Sequence, residues 1–179
     1  VLSGTFGITD FASVIAWRGL QHEDEARHVF GMPGIITSDG ALIFGVMADH
    51  TYNAGKIYPP GGSLDREDIR SNGEVDVLGS IVREMKEEIG LDAAQATPLG
   101  LYALSLGRAL TVISFLGFAM TAREIEDIAH QHFATEAEPE LKGLWIVREP
   151  GDLVPGMAAF ARVMAEYFLA NRQALTGLR

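Results

Sequence analysis

The stretch REMKEEIG, residues 83–90, decides how the chain is read. Three carboxylates, Glu84, Glu87 and Glu88, fall within five positions. Leu78, Ile81, Val82, Met85 and Ile89 recur at helical spacing, Asp76 suits an N-cap and Gly90 a stop. The spacing predicts a helix over 76–89. Residues i, i+3 and i+4 are neighbours on a helix, so the three glutamates share a face. At roughly 100° per residue, that face is expected to lie away from the Leu78–Ile81–Met85 stripe. Like charges at i and i+4 cost about 0.2–0.5 kcal/mol. Carboxylates in a last turn also oppose the helix dipole, by about 0.3–1 kcal/mol each. Arg83 can relieve Glu87 from i−4. Two readings follow: a solvated charged face, the usual meaning of such a run, or a site where a hard cation such as Mg²⁺ offsets the crowding.

Composition narrows the choice. The 179 residues fit one domain, and 47% hydrophobic content supplies a core. A net charge of −10 argues against a nonspecific nucleic-acid surface. It leaves room for a small phosphorylated ligand, because a bound divalent cation inverts the local field. There is no cysteine, hence no disulfide. No signal-peptide pattern is visible and the apolar stretch 99–120 is broken by Arg108, so a soluble cytoplasmic protein without a membrane span is expected.

Working outward from the helix, PPGG at 59–62 must turn sharply. Asp39-Gly40 joins two apolar runs in 34–47 as a hairpin. Residues 63–74 read as an exposed loop, and Gly107-Arg108 as the turn between strands at 99–106 and 110–120. Residues 5–18 look like a strand or strand pair, 22–27 like a charged connection, 121–131 like a short helix, 144–147 like a strand and 155–173 like a last helix. Strands outnumber helices without alternating with them, which predicts an α+β layered domain. Residues 1–33 are expected to form a separate N-terminal strand and connection element, substrate-covering or dimerising, before a main domain over 34–179.

With the PPGG turn before it, the helix resembles the Nudix box, Gly-x5-Glu-x7-Arg-Glu-U-x-Glu-Glu-x-Gly-U, where U is bulky and apolar. Arg83, Glu84, Met85, Glu87, Glu88, Gly90 and Leu91 match every fixed position of its second half. The first half departs: the expected glutamate falls on Val75, leaving Glu74, one residue early, or Glu67, separated from Gly61 by five residues. The resemblance implies an α/β/α sandwich around a mixed sheet. It also implies hydrolysis of nucleoside diphosphates linked to a moiety X, with Mg²⁺ or Mn²⁺. Glu84, Glu87 and Glu88 then match the metal ligands, Arg83 orients a glutamate, and Gly61 and Gly62 turn the backbone beside the diphosphate. Many members take a catalytic base from a loop beyond the box. Here the acidic loop offers Glu136, Glu138 and Glu140, with Glu140 preferred and Glu138 next. The enlarged box loop favours a nucleotide sugar, such as a UDP-sugar or ADP-ribose. The alternative is a Nudix-fold nucleotide-binding or regulatory module without hydrolysis. A prenyl-diphosphate isomerase is disfavoured by the missing cysteine.

Other signals are weaker. A calcium loop starting at Asp68 lacks its bidentate glutamate, because Gly79 stands at position twelve. His130 and His132 read as surface histidines. Tyr52, Tyr58 and Tyr102 either stack on a base or serve as packing.

Overall fold

The computed structural model describes residues 3–20 and 26–177. Its sheet is mixed, with strand β1 (His28–Ile36) near the middle. β1 runs parallel to β5 (Ala109–Phe118) from His28↔Ala109 to Ile36↔Gly117. β5 is in turn hairpinned to β4 (Ala96–Leu106). On its other side β1 meets β2 (Leu42–Met47) only at Ile35↔Ile43 and Ile36↔Leu42. Beyond those pairs β2 turns to β3 (Ile57–Tyr58), while its opposite edge is filled by β6 (Leu141–Val147). β1 and β2 therefore splay apart, and the 59–63 turn enters the opening, where Ser63 bridges to Phe30.

Helices cover both faces. α2 (Val77–Ile89) and α3 (Ala122–Phe133) bury one layer, with Ile35, Ile43, Met85, Ile89, Leu116 and Ile125. α4 (Ala159–Thr176) buries the other, with Met32, Leu42, Phe44, Phe115 and Phe168. A strand covered on both faces needs apolar residues at successive positions, not alternate ones, and Gly31–Ile36 and Ala41–Phe44 are buried throughout. The expected α+β sandwich around a mixed sheet is thus present. Among the described residues, no helix is long and apolar enough to cross a membrane.

Two expectations are corrected. Residues 5–18 are not strand: Phe11–Gly19 form helix α1, capped by Asp10, which accepts from the Ser13 amide at 2.9 Å. The β-branched and aromatic content of the segment suggested a strand, but the cap decides it. The buried line of α2 is also rotated. Leu78 and Val82 are 48% and 40% exposed, whereas Ser80, Ile81, Met85, Glu88 and Ile89 are buried. Gly31 explains the placement, since a Cβ there would lie 2.5 Å from Ile81. The helix rests on the strand through that gap. β1 runs unbroken through positions 33 and 34, and residues 22–25 of the charged connection lie outside the described residues.

The Thr37–Ala41 turn is locked by one carboxylate. Asp39 accepts from the Thr37 hydroxyl at 2.6 Å, the Ala122 amide at 3.0 Å and the Arg148 guanidinium at 2.7 Å. Burial alone would raise its carboxyl, but the hydrogen bonds from Thr37, Arg148 and Ala122 prevail and hold it at about 2. A carboxyl depressed below its unfolded value contributes stability above about pH 4, and loses it as pH falls towards 2. Asp39→Asn is expected to lower stability at pH 7 by about 1–2 kcal/mol. Denaturant titrations across pH should show the wild-type advantage shrinking between about pH 4 and 2.

Candidate active site

The C-terminal half of α2 faces the 59–62 turn. The Gly61 amide donates to Glu88 Oε1 at 2.9 Å. A Cβ on Gly61 would lie 2.7 Å from the Gly31 carbonyl oxygen, and one on Gly62 would lie 2.6 Å from both Glu84 oxygens. Two carboxylates and a strand backbone therefore close on a turn that has no room for side chains. Glu88 is 9% exposed, and its Oε2 is buried without a hydrogen-bond partner.

Arg83 balances part of this charge. Its Nη1 donates to Glu84 Oε1 at 2.8 Å and Glu87 Oε2 at 3.2 Å. Its Nη2 donates to both oxygens of buried Asp68, at 3.2 and 3.3 Å. The surrounding carboxylates raise the guanidinium's pKa against the opposing effect of burial. Burial raises the Glu84 carboxyl, opposed by Arg83 and aided by Glu87 and Glu140. Burial likewise pushes Glu88 up to about 8, opposed by the Gly61 amide and aided by Glu140, Glu84 and Glu136.

The acidic loop reaches this cluster at Glu140, whose carbonyl accepts from the Ala48 amide at 2.8 Å just before β6 begins. Its charge acts on Glu84, Glu88 and the Tyr58 hydroxyl. Glu138 is exposed. Glu136 instead pairs at 3.0 Å with His132, whose Nε2 lies 2.6 Å from the Glu87 carbonyl. His132 thus occupies one of the carbonyls left over at the end of α2. His130 packs on Phe133 and Tyr102 on Phe115, while Tyr52 is exposed.

Asp68 is the residue that the sequence reading passed over. Glu74 lies at the surface with Arg70 and Asn72, and Glu67 is exposed. Five residues separate Gly62 from Asp68, the box spacing with a shorter acid, but fourteen separate Asp68 from Arg83 in place of seven. The seven surplus residues, 69–75, fold back as a small hairpin. Ile69 bridges Val75, the Arg70 amide donates to the Glu74 carbonyl at 2.8 Å, and the Asp76 amide donates to the Asp68 carbonyl at 2.7 Å. A search allowing aspartate after Gly62 and a self-closing insertion would have found it.

The donors suit a hard cation. Glu84 and Glu88 supply carboxylate oxygens that burial and the charge of Glu140 both push towards protonation, and Glu88 keeps an orphaned oxygen. Glu87 is turned towards Arg83, with its side chain 61% exposed. Among the described residues, no three acidic or histidine side chains already stand together as a ligand set.

No family model matches the sequence, and no curated protein matches it. Solved structures do match. The chain is similar to a MutT protein from Methanosarcina mazei Go1, at 16% identity over 84% of this chain and 99% of that one, with a TM-score of 0.56. It is similar to an Ap4A hydrolase from C. elegans, at 14% identity over 83% of this chain and 99% of that one, with a TM-score of 0.55. It is also similar to the Nudix domain of Shewanella oneidensis NrtR, solved with ADP ribose, at 12% identity over 92% of this chain and 99% of that one, with a TM-score of 0.51. At these identities the likeness establishes the fold: the chain has the Nudix fold.

A carboxyl raised in the folded state costs stability as pH climbs from its unfolded value, near 4.5, towards about 8. In metal-free protein, Glu88→Gln should therefore raise the melting temperature at pH 8 and leave it nearly unchanged at pH 5. Mg²⁺ should stabilise wild type more at pH 8 than at pH 5, since cation and proton compete for Glu88. Thermal melts with and without EDTA check both.

Proposed function

We propose that the protein hydrolyses a diphosphate bond in a nucleoside diphosphate linked to X, with a divalent cation, Mg²⁺ or Mn²⁺, held by Glu84, Glu87 and Glu88. One observation carries this reading: the Glu84 and Glu88 carboxylates close on a Gly61-Gly62 turn that leaves no space for a side chain. A turn of that kind lets a diphosphate approach backbone and carboxylates together. The Nudix domain solved with ADP ribose supports the substrate class.

The chain's own groups then divide the work. A bound cation would neutralise diphosphate charge and make water more acidic. Glu140, exposed and near enough for its charge to act on Glu84 and Glu88, would accept the proton of the attacking water, with Glu138 the next choice along the same loop. Arg83, braced by Asp68, holds Glu84 and Glu87 in position. The insertion that favoured a nucleotide sugar in the sequence closes on itself as the 69–75 hairpin, so it gives that preference no further support.

Product-mass assays over ADP-ribose, UDP-glucose, dinucleoside polyphosphates and nucleoside triphosphates, with Mg²⁺, Mn²⁺ or EDTA, test the reading. Metal-dependent turnover should fall by at least about 100-fold in Glu88→Gln. Asp68→Asn should lose about 10–100-fold, as expected for a group that orients ligands indirectly. Saturable binding of these compounds by wild type without turnover would establish the binding-module alternative instead.

A further inference from the structure

We propose that His132 is a positioning residue: it ties the acidic loop that carries Glu140 to the last turn of α2, and so sets Glu140 against Glu84 and Glu88. The inference rests on the diphosphate-hydrolase reading above. His132 lies near the end of α3, outside both the box and the acidic loop. Its Nε2 stands 2.6 Å from the Glu87 carbonyl oxygen and 3.0 Å from Glu136 Oε1. A carbonyl and a carboxylate only accept hydrogen bonds, so Nε2 carries the hydrogen and shares it between them. One N–H thereby joins three segments: the helix that bears the ring, the end of α2 and the start of the loop.

The surroundings are shaped for this contact. Gly90 ends α2 in the left-handed conformation, at φ 73°. It also makes room for the ring, since a Cβ there would lie 3.1 Å from His132 Cβ and Cγ. The His132 carbonyl in turn accepts from the Thr135 amide at 2.9 Å and the Thr135 hydroxyl at 2.7 Å. The Glu136 amide donates to the Phe133 carbonyl at 3.3 Å. The start of the loop is thus folded back onto α3, which brings Glu136 to the imidazole.

The far end of the loop is fixed separately, where the Ala48 amide donates to the Glu140 carbonyl at 2.8 Å. Residues 137–139 therefore span two anchors, and a chain from 136 to 140 reaches at most about 14 Å. Holding Glu136 against the end of α2 confines Glu140 to the neighbourhood of that helix. No residue of 134–140 is buried, so hydrogen bonds rather than core packing place this segment ahead of β6. The charges of Glu136 and Glu140 both act on Glu88, as expected of a loop drawn in over the cluster.

His132→Leu keeps the bulk and removes the N–H. Its kcat with Mg²⁺, for whichever compound of the panel above wild type turns over fastest, should fall at least about tenfold, with KM changed less than about twofold. Hydrogen exchange in metal-free protein gives a readout apart from activity. The Ala48 amide should exchange at least about tenfold faster, and quicken more than the amides of β1 and β5, which a general loosening would move equally. His132→Gln can place an amide N–H where Nε2 stands, and should restore kcat and Ala48 protection to within about threefold of wild type. A side chain that only fills space would gain nothing from that exchange of leucine for glutamine. Glu136→Ala removes the loop's half of the tie without touching α2, and is the second variant if His132→Leu does not fold; the same pattern is expected. An unchanged kcat or unchanged Ala48 exchange in the folded variant, or a loss that His132→Gln does not restore, would overturn this inference and leave the hydrolase reading standing. Absence of hydrolysis by wild type across the whole panel would overturn the hydrolase reading, and the positioning role with it.

Discussion

The contact between the Gly61 amide and Glu88, in the opening between β1 and β2, is the constraint on which the rest of the molecule depends. It requires β2 to leave β1 after two residue pairs, so that the turn can enter. It requires glycine at 61, because the Gly31 carbonyl is already there. It also requires α2 to lie low on the sheet, which Gly31 permits by admitting Ile81. Sheet, turn and helix are thereby fixed to one another around a buried carboxylate.

That arrangement is electrostatically unfavourable by itself. Glu84, Glu88 and Glu140 repel one another where water is scarce, and one arginine answers four carboxylates at its two ends. Clusters of this kind persist in proteins because function needs them, since an apolar helix face would pack with less strain. The imbalance gives a physical reason for such a cluster to favour a bound cation.

Much of this was legible in the sequence. Asp76, the Glu84–Glu87–Glu88 spacing and Gly90 announce helix α2, and Asp39-Gly40 and Gly107 announce the two hairpins, because caps and turns are local chemistry. Thr121 and Glu124 likewise form a capping box at the start of α3. What escaped was set by tertiary packing. The burial of Glu88 comes from the 59–62 turn lying over it, which helix spacing alone does not show. Asp68 was hidden because seven inserted residues broke the spacing by which it would be recognised. Phe11–Gly19 were mistaken for strand because their helix is only half covered and shows no strong stripe.

The Asp68–Asp76 closure has a consequence for how such a protein changes over generations. The peptide link between these residues works like a clasp, so the chain beyond it can grow or shrink without disturbing the arginine's brace. Loop-closure entropy rises only slowly with length, so longer segments at this point carry little thermodynamic burden. The 69–75 hairpin is in that sense an expansion port, a place where the chain can lengthen while the Asp68–Arg83 contact beside it is left alone.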